Sequence, residues 1–149
     1  MHSKPYLRLL AMAALSFVAM YVLMYAMVNA FGNAIPNLNQ AYMAGLMVAP
    51  MVIIEILLMR PMYANRGWNA AILTVSAAVA IVFWVGIREQ AAIGDNQFLK
   101  SMIPHHAGAI LMCEKARIET PEIKELCSTI ISSQQAEIDQ MRGLLRKGG

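Results

Sequence analysis

The chain has 149 residues, of which 58% are hydrophobic and 14% charged. An ordinary soluble domain carries about 25% charged residues, so a purely soluble fold is excluded. The formal net charge of +3 is not gathered into a Lys/Arg run interleaved with aromatics, which excludes a nucleic-acid surface. Charge divides the chain in two. Met1 to Ile87 holds four basic residues (Lys4, Arg8, Arg60, Arg66) and one acid, Glu55, while Arg88 onward holds eight of each sign. A membrane region over residues 1–90 followed by a water-facing domain over 91–149 is expected.

Three apolar runs come first: Leu9–Phe31, Ala41–Met59 and Trp68–Ile87. A helix of about 20 residues crosses a hydrocarbon core of about 30 Å, so each is long enough to span a bilayer. The links "GNAIPNLNQ" and "RPMYANRG" are rich in turn formers. Basic residues favour the cytoplasmic ends of spans. Lys4 and Arg8 precede the first span, Arg60 and Arg66 follow the second, and the first link is uncharged. The N-terminus is therefore expected inside and the C-terminal domain outside, with Arg88 the one dissenting charge. "VNA" before Phe31 resembles a signal-peptide cleavage site, but the apolar run exceeds the usual about 7–15 residues.

From Asp95 to Arg146 the spacing is helical. Met102, Ala109, Met112 and Ala116 recur on one segment, and Ile123, Leu126, Ile130, Ile138, Met141 and Leu145 on the next. Between them Thr120, Pro121 and Glu122 read as N-cap, first helical residue and dipole-matched acid. The fold class expected is all-α: three transmembrane helices, then an external antiparallel helical hairpin. Two helices bury little core alone. Self-association into a four-helix bundle, or docking onto the spans, would supply the rest.

"MIPHHAGAILMC" holds two of the three histidines; the third is His2. With a turn at Glu119–Thr120, position 105 faces about position 135 and position 102 about 138. Met102 is a helical neighbour of both His105 and His106, and Gln134, Glu137 and Met141 form one stripe on the second helix. Two imidazoles, a carboxylate, an amide and two thioethers thus converge. Thioethers suit Cu(I), and imidazole suits copper, zinc, iron or nickel. Outside the cytoplasm cysteine tends to be oxidised while methionine remains a soft ligand, so copper fits better than zinc. Pro104, which cannot donate to the Lys100 carbonyl, should kink the helix or start it. The bland alternatives are a surface histidine pair, core methionines and a satisfied amide.

These residues carry a resemblance. Phe98, Met102, His105, His106, Ala109 and Met112, followed by Gln134, Glu137, Ile138 and Met141, resemble the motif of the bacterial "domain of unknown function 305" family over Asp95 to Leu145. The resemblance implies a ferritin-like helical bundle and an exported, periplasmic role in copper or heavy-metal binding and resistance. Cys113 departs from the pattern, where a small residue such as Ala is expected. Some relatives carry two copies of the motif and this chain one, which favours pairing with a second protomer.

Cys113 and Cys127 should sit level in the hairpin. They can form a disulfide or stay reduced and buried, or Cys113 can join Met112 as a ligand. Met20, Met24 and Met27, and Met43, Met47 and Met51, could pass Cu(I), although methionine in a span is ordinarily adaptable apolar filling. Glu55, an acid within a span, is either an anchor near Arg60 or part of a cation path. No Glu-x-x-His pair, nucleophile triad, phosphate loop or dinucleotide fingerprint occurs, so no enzyme is expected.

The expected protein is a bacterial inner-membrane copper-binding protein for sequestration, delivery or sensing. Its expected metal ligands are Met102, His105, His106, Glu137 and Met141, with Met112 and Gln134 at the edge. Its expected partners are the lipid bilayer, the metal ion and further copies of itself. The rival expectations are an oligomerisation module without metal and a subunit of a metal transport system.

Overall fold

The structure is a computed structural model that describes residues 4–148; His2 lies outside them. Among the described residues there are five α-helices and no strand: α1 Lys4–Leu23, α2 Leu38–Leu58, α3 Arg66–Arg88, α4 Asp95–Lys115 and α5 Pro121–Lys147. Short 3₁₀ turns cover Met24–Met27, Phe31–Asn33 and Arg60–Met62. The chain folds as two compact units. One takes the chain up to Leu23 with Asn39–Ala92, and the other takes Met24–Leu38 with the chain from Ile93 onward.

Three segments, Lys4–Met27, Leu38–Leu58 and Arg66–Arg88, are long and apolar enough to cross a membrane. The first regular helix ends at Leu23, before the expected Phe31. The residues beyond it, rich in Asn, form turns instead, because Asn side chains compete with helical hydrogen bonds. Leu9, Val52, Ile56 and Tyr63 are buried together, flanked by Tyr6, Met12, Val48 and Leu73. Tyr6 reaches across to α3, donating to Asn69 Oδ1 at 2.8 Å. Asn65 caps α3 by accepting from the Trp68 N–H at 3.0 Å. Helices α2 and α3 meet where Gly45 leaves room for the Phe83 ring; a Cβ at Gly45 would overlap that ring.

Glu55 is half-buried and accepts a hydrogen bond from the Tyr63 hydroxyl at 3.3 Å. Burial foremost, then the neighbouring Glu55 charge, pushes the Tyr63 hydroxyl above its ordinary value.

The second unit is the hairpin with one addition. Helices α4 and α5 bury Ile103, Ala107, Ile110, Ile138 and Met141, with Leu99, Met102, Ile131 and Leu145 around them. The inward stripe of α4 is therefore Leu99–Ile103–Ala107–Ile110, rotated from the Met102–Ala109–Met112 pattern that the spacing suggested. The addition is the segment from Met24 to Leu38. Val28 and Ile35 pack on the hairpin core, the Met27 carbonyl lies over Gly108, and Leu38 N–H donates to Gln97 Oε1 at 3.0 Å. This segment supplies part of the apolar cover that two helices lack.

Candidate metal centre

Helix α4 runs unbroken from Asp95 to Lys115 with Pro104 inside it. The expectation of a helix start at Pro104 is thus corrected: Gly94 is the N-cap residue. Successive helical residues point about 100° apart, so the two histidines part company. His106 turns inward and is 7% exposed. His105 is exposed on the neighbouring face, with the ring centroids 6.1 Å apart and edge to face.

Both ring nitrogens of His106 are engaged. Nδ1 lies 2.9 Å from the Met102 carbonyl oxygen. A carbonyl oxygen only accepts, so Nδ1 carries a hydrogen and donates it. Nε2 lies 2.6 Å from Glu137 Oε2, so a proton lies between imidazole and carboxyl. The histidine side chain is 8% exposed and the carboxylate 51%. A buried ring is thus held on one side by its own helix and on the other by a half-solvated acid from α5.

That arrangement has a chemical reading. Histidines that bind metal through one nitrogen usually donate the other N–H to a carbonyl or carboxylate, which fixes tautomer and orientation. The Met102 carbonyl does this for His106 and leaves Nε2 as the nitrogen facing Glu137. At 2.6 Å the Nε2–Oε2 separation is a hydrogen bond. Two atoms each bound to one metal at about 2.0–2.2 Å sit about 3 Å apart or more. A metal held by both atoms would take the place of that proton.

The other expected residues are distributed as follows. Met141 is buried in the hairpin core, and Met102 is half-buried at its edge. Gln134 is half-buried, nearly one turn before Glu137. Met112 is exposed, about 10 Å along the helix axis from His105. Among the described residues, no three His, Cys, Asp or Glu side chains gather into a metal-holding group. The structure joins His106, Glu137 and the Met102 carbonyl, and leaves His105 on the adjacent surface.

Cys113 and Cys127 form a disulfide with Cα atoms 5.3 Å apart. The alternatives of a reduced pair, and of Cys113 as a ligand beside Met112, are set aside by that bond. Thr120 occupies the N-cap of α5 as expected, although its hydroxyl makes no capping bond.

Arg142 was not foreseen. Its guanidinium donates to the Gly32 carbonyl at 2.8 Å and to Asn33 Oδ1 at 2.6 Å. Asn33 is 4% exposed and donates in turn to Asn29 Oδ1 at 2.8 Å. Arg142 directly follows Met141, so this clasp fastens the loop to the helix that carries Glu137. The run of asparagines at 29, 33 and 37 was its only signal in the sequence.

A family model described as "Domain of unknown function (DUF305)" matches residues 87–145. An uncharacterized protein of Acanthamoeba polyphaga mimivirus is 38% identical over 140 residues, covering 92% of this chain and 90% of that protein. That likeness necessarily includes most of α1–α3 as well as the hairpin. No solved structure matches the chain.

Proposed function

We propose a function from one premise: the chain belongs to the domain of unknown function 305 family. On that premise it is a membrane-anchored protein that holds copper, as Cu(I), on the extracytoplasmic side of a bacterial inner membrane, for sequestration or delivery and not for catalysis. The single observation that carries the reading is His106. It is buried, its tautomer is set by the Met102 carbonyl, and its Nε2 is aimed at Glu137. The donor set of imidazole, carboxylate and the thioethers of Met102 and Met141 fits a soft or borderline ion. His105 supplies a second imidazole, with Met112 and Gln134 at the margin.

The orientation rests on charge. Lys4, Arg8, Arg60 and Arg66 mark one side of the three candidate spans as cytoplasmic. The Cys113–Cys127 disulfide supports the opposite side, an oxidising compartment, for the hairpin.

Self-association has support from the hairpin surface. Phe98, Met102, His105, Ala109 and Met112 follow a 4-3-4-3 spacing, the seam of a helix pair. Phe98 and Met112 are 49% and 54% exposed although apolar. A second hairpin on this seam makes a four-helix bundle and brings further donors to His105, which a single chain leaves in solvent.

The test is an anaerobic Cu(I) competition titration of the full-length protein. His105→Ala with His106→Ala is expected to abolish tight binding; unchanged affinity removes both residues from the site. One observation favours a second reading, an assembly module without metal: both nitrogens of His106 are already satisfied inside one chain. That reading requires an oligomer indifferent to chelators and wild-type protein that carries no copper.

A further inference from the structure

The first unit has a pocket that the copper reading does not use. It lies between the end of α2 and the start of α3, has a volume of about 530 Å³, and sits beside the 3₁₀ turn Arg60–Met62. Its walls are of two kinds. Ile56, Leu57 and Leu73 are apolar, and Arg60 and Arg66 stand at the other side with Asn69. Among the described residues no carboxylate pairs with either arginine. The one acid nearby, Glu55, is bonded to the Tyr63 hydroxyl. Both arginines are exposed. Two unneutralised guanidinium groups beside an apolar wall call for a ligand that is anionic at one end and hydrocarbon at the other.

Surrounding residues add to this. Tyr6 is bonded to the Asn65 carbonyl and to Asn69, so Lys4 and Arg8, on the same turns of α1, lie at the same end of the unit. Four cations are thus concentrated there. Trp68 is 62% exposed next to the pocket, and its ring lies 6.3 Å from Tyr6. Aromatic rings with one polar edge collect at the level of lipid headgroups. Guanidinium forks match phosphate oxygens two at a time. Basic pockets between membrane helices are known to take phospholipid headgroups.

We propose that Arg60 and Arg66 form a site for the phosphate of an anionic phospholipid, whose acyl chains lie along Leu57 and Leu73. The inference rests on the reading that α1–α3 cross a membrane, and it is independent of copper. A lipid there fastens the α2–α3 connection to the leaflet and fixes the depth of that end.

The experiment uses the full-length protein in liposomes and in neutral detergent. Flotation with phosphatidylcholine liposomes reads membrane insertion by itself; a wild-type protein that does not float overturns both the insertion reading and this site. Native mass spectrometry from detergent then reads retained lipid, with phosphatidylglycerol and phosphatidylcholine supplied in equal amounts. Wild type is expected to retain phosphatidylglycerol at least tenfold over phosphatidylcholine. Arg60→Gln with Arg66→Gln removes that preference, and Arg60→Lys with Arg66→Lys keeps a measurable part of it. Arg88→Gln, at the opposite end of α3, leaves it unchanged. The site is overturned if the Gln pair keeps wild-type preference, if Arg88→Gln lowers it as much, or if soluble glycerol phosphate displaces the lipid.

Discussion

Removing the staple of the hairpin has a calculable cost. Cys113 and Cys127 are 14 residues apart. Closing a loop of that size in the unfolded chain removes about 10 cal/mol/K, or about 3 kcal/mol at room temperature, on the chain-entropy account. The core that otherwise holds α4 to α5 is small: Ile103, Ala107, Ile110, Ile138 and Met141, with the Met24–Leu38 segment laid over it. Small cores supply only a few kcal/mol, so the bond is a large share of the stability. Cys113→Ser with Cys127→Ser should therefore lower the opening free energy of the hairpin by about 3 kcal/mol. Amide hydrogen exchange on the full-length protein reads this locally, because 1.4 kcal/mol is about tenfold in an equilibrium constant. Protection in α4 and α5 is expected to fall by roughly a hundredfold, while α2 and α3 keep theirs. Protection within a fewfold of wild type, or an equal loss in α2 and α3, refutes the reasoning.

Other expectations follow from single contacts. Arg142→Gln withdraws the donors to Gly32 and Asn33 and leaves a buried amide oxygen unpaired, a loss of about 1–3 kcal/mol; hydrogen exchange over residues 24–38 should speed up selectively. Gly45→Val places side-chain atoms where the Phe83 ring sits, and overpacking of this kind costs about 1–3 kcal/mol or more; a thermal melt in detergent should fall, and an unchanged melt would show that α2 and α3 do not pack there. Glu137 Oε2 holds His106 Nε2 at 2.6 Å, the nitrogen that the copper reading assigns to the metal. Glu137→Ala should therefore lower apparent Cu(I) affinity by about 10–100-fold in a competition titration, and an unchanged affinity removes Glu137 from the site.

Much of the fold was legible because its signals are local. Unbroken apolar runs mark α1–α3, and Thr120-Pro121-Glu122 marks the start of α5. Antiparallel register then brings residues 106 and 137, and 113 and 127, to matching heights, as the structure has them. What was not legible depends on rotation and on long-range packing. A helical spacing rule finds several stripes on α4, and only tertiary packing selects Leu99–Ile103–Ala107–Ile110 as the buried one. For the same reason two adjacent histidines looked alike in sequence, yet one is buried and bonded and the other exposed. The segment after α1 read as the end of the first span followed by a plain connector. Its role as cover for the hairpin depends on Arg142, more than a hundred residues away in the chain.

X-ray absorption at the copper edge, on full-length protein loaded anaerobically with Cu(I), addresses the metal assignment most directly. Both imidazole nitrogen and thioether sulfur are expected in the first coordination sphere, with the nitrogen contribution reduced in His106→Ala. A sphere of sulfur alone, or a spectrum untouched by that substitution, contradicts it.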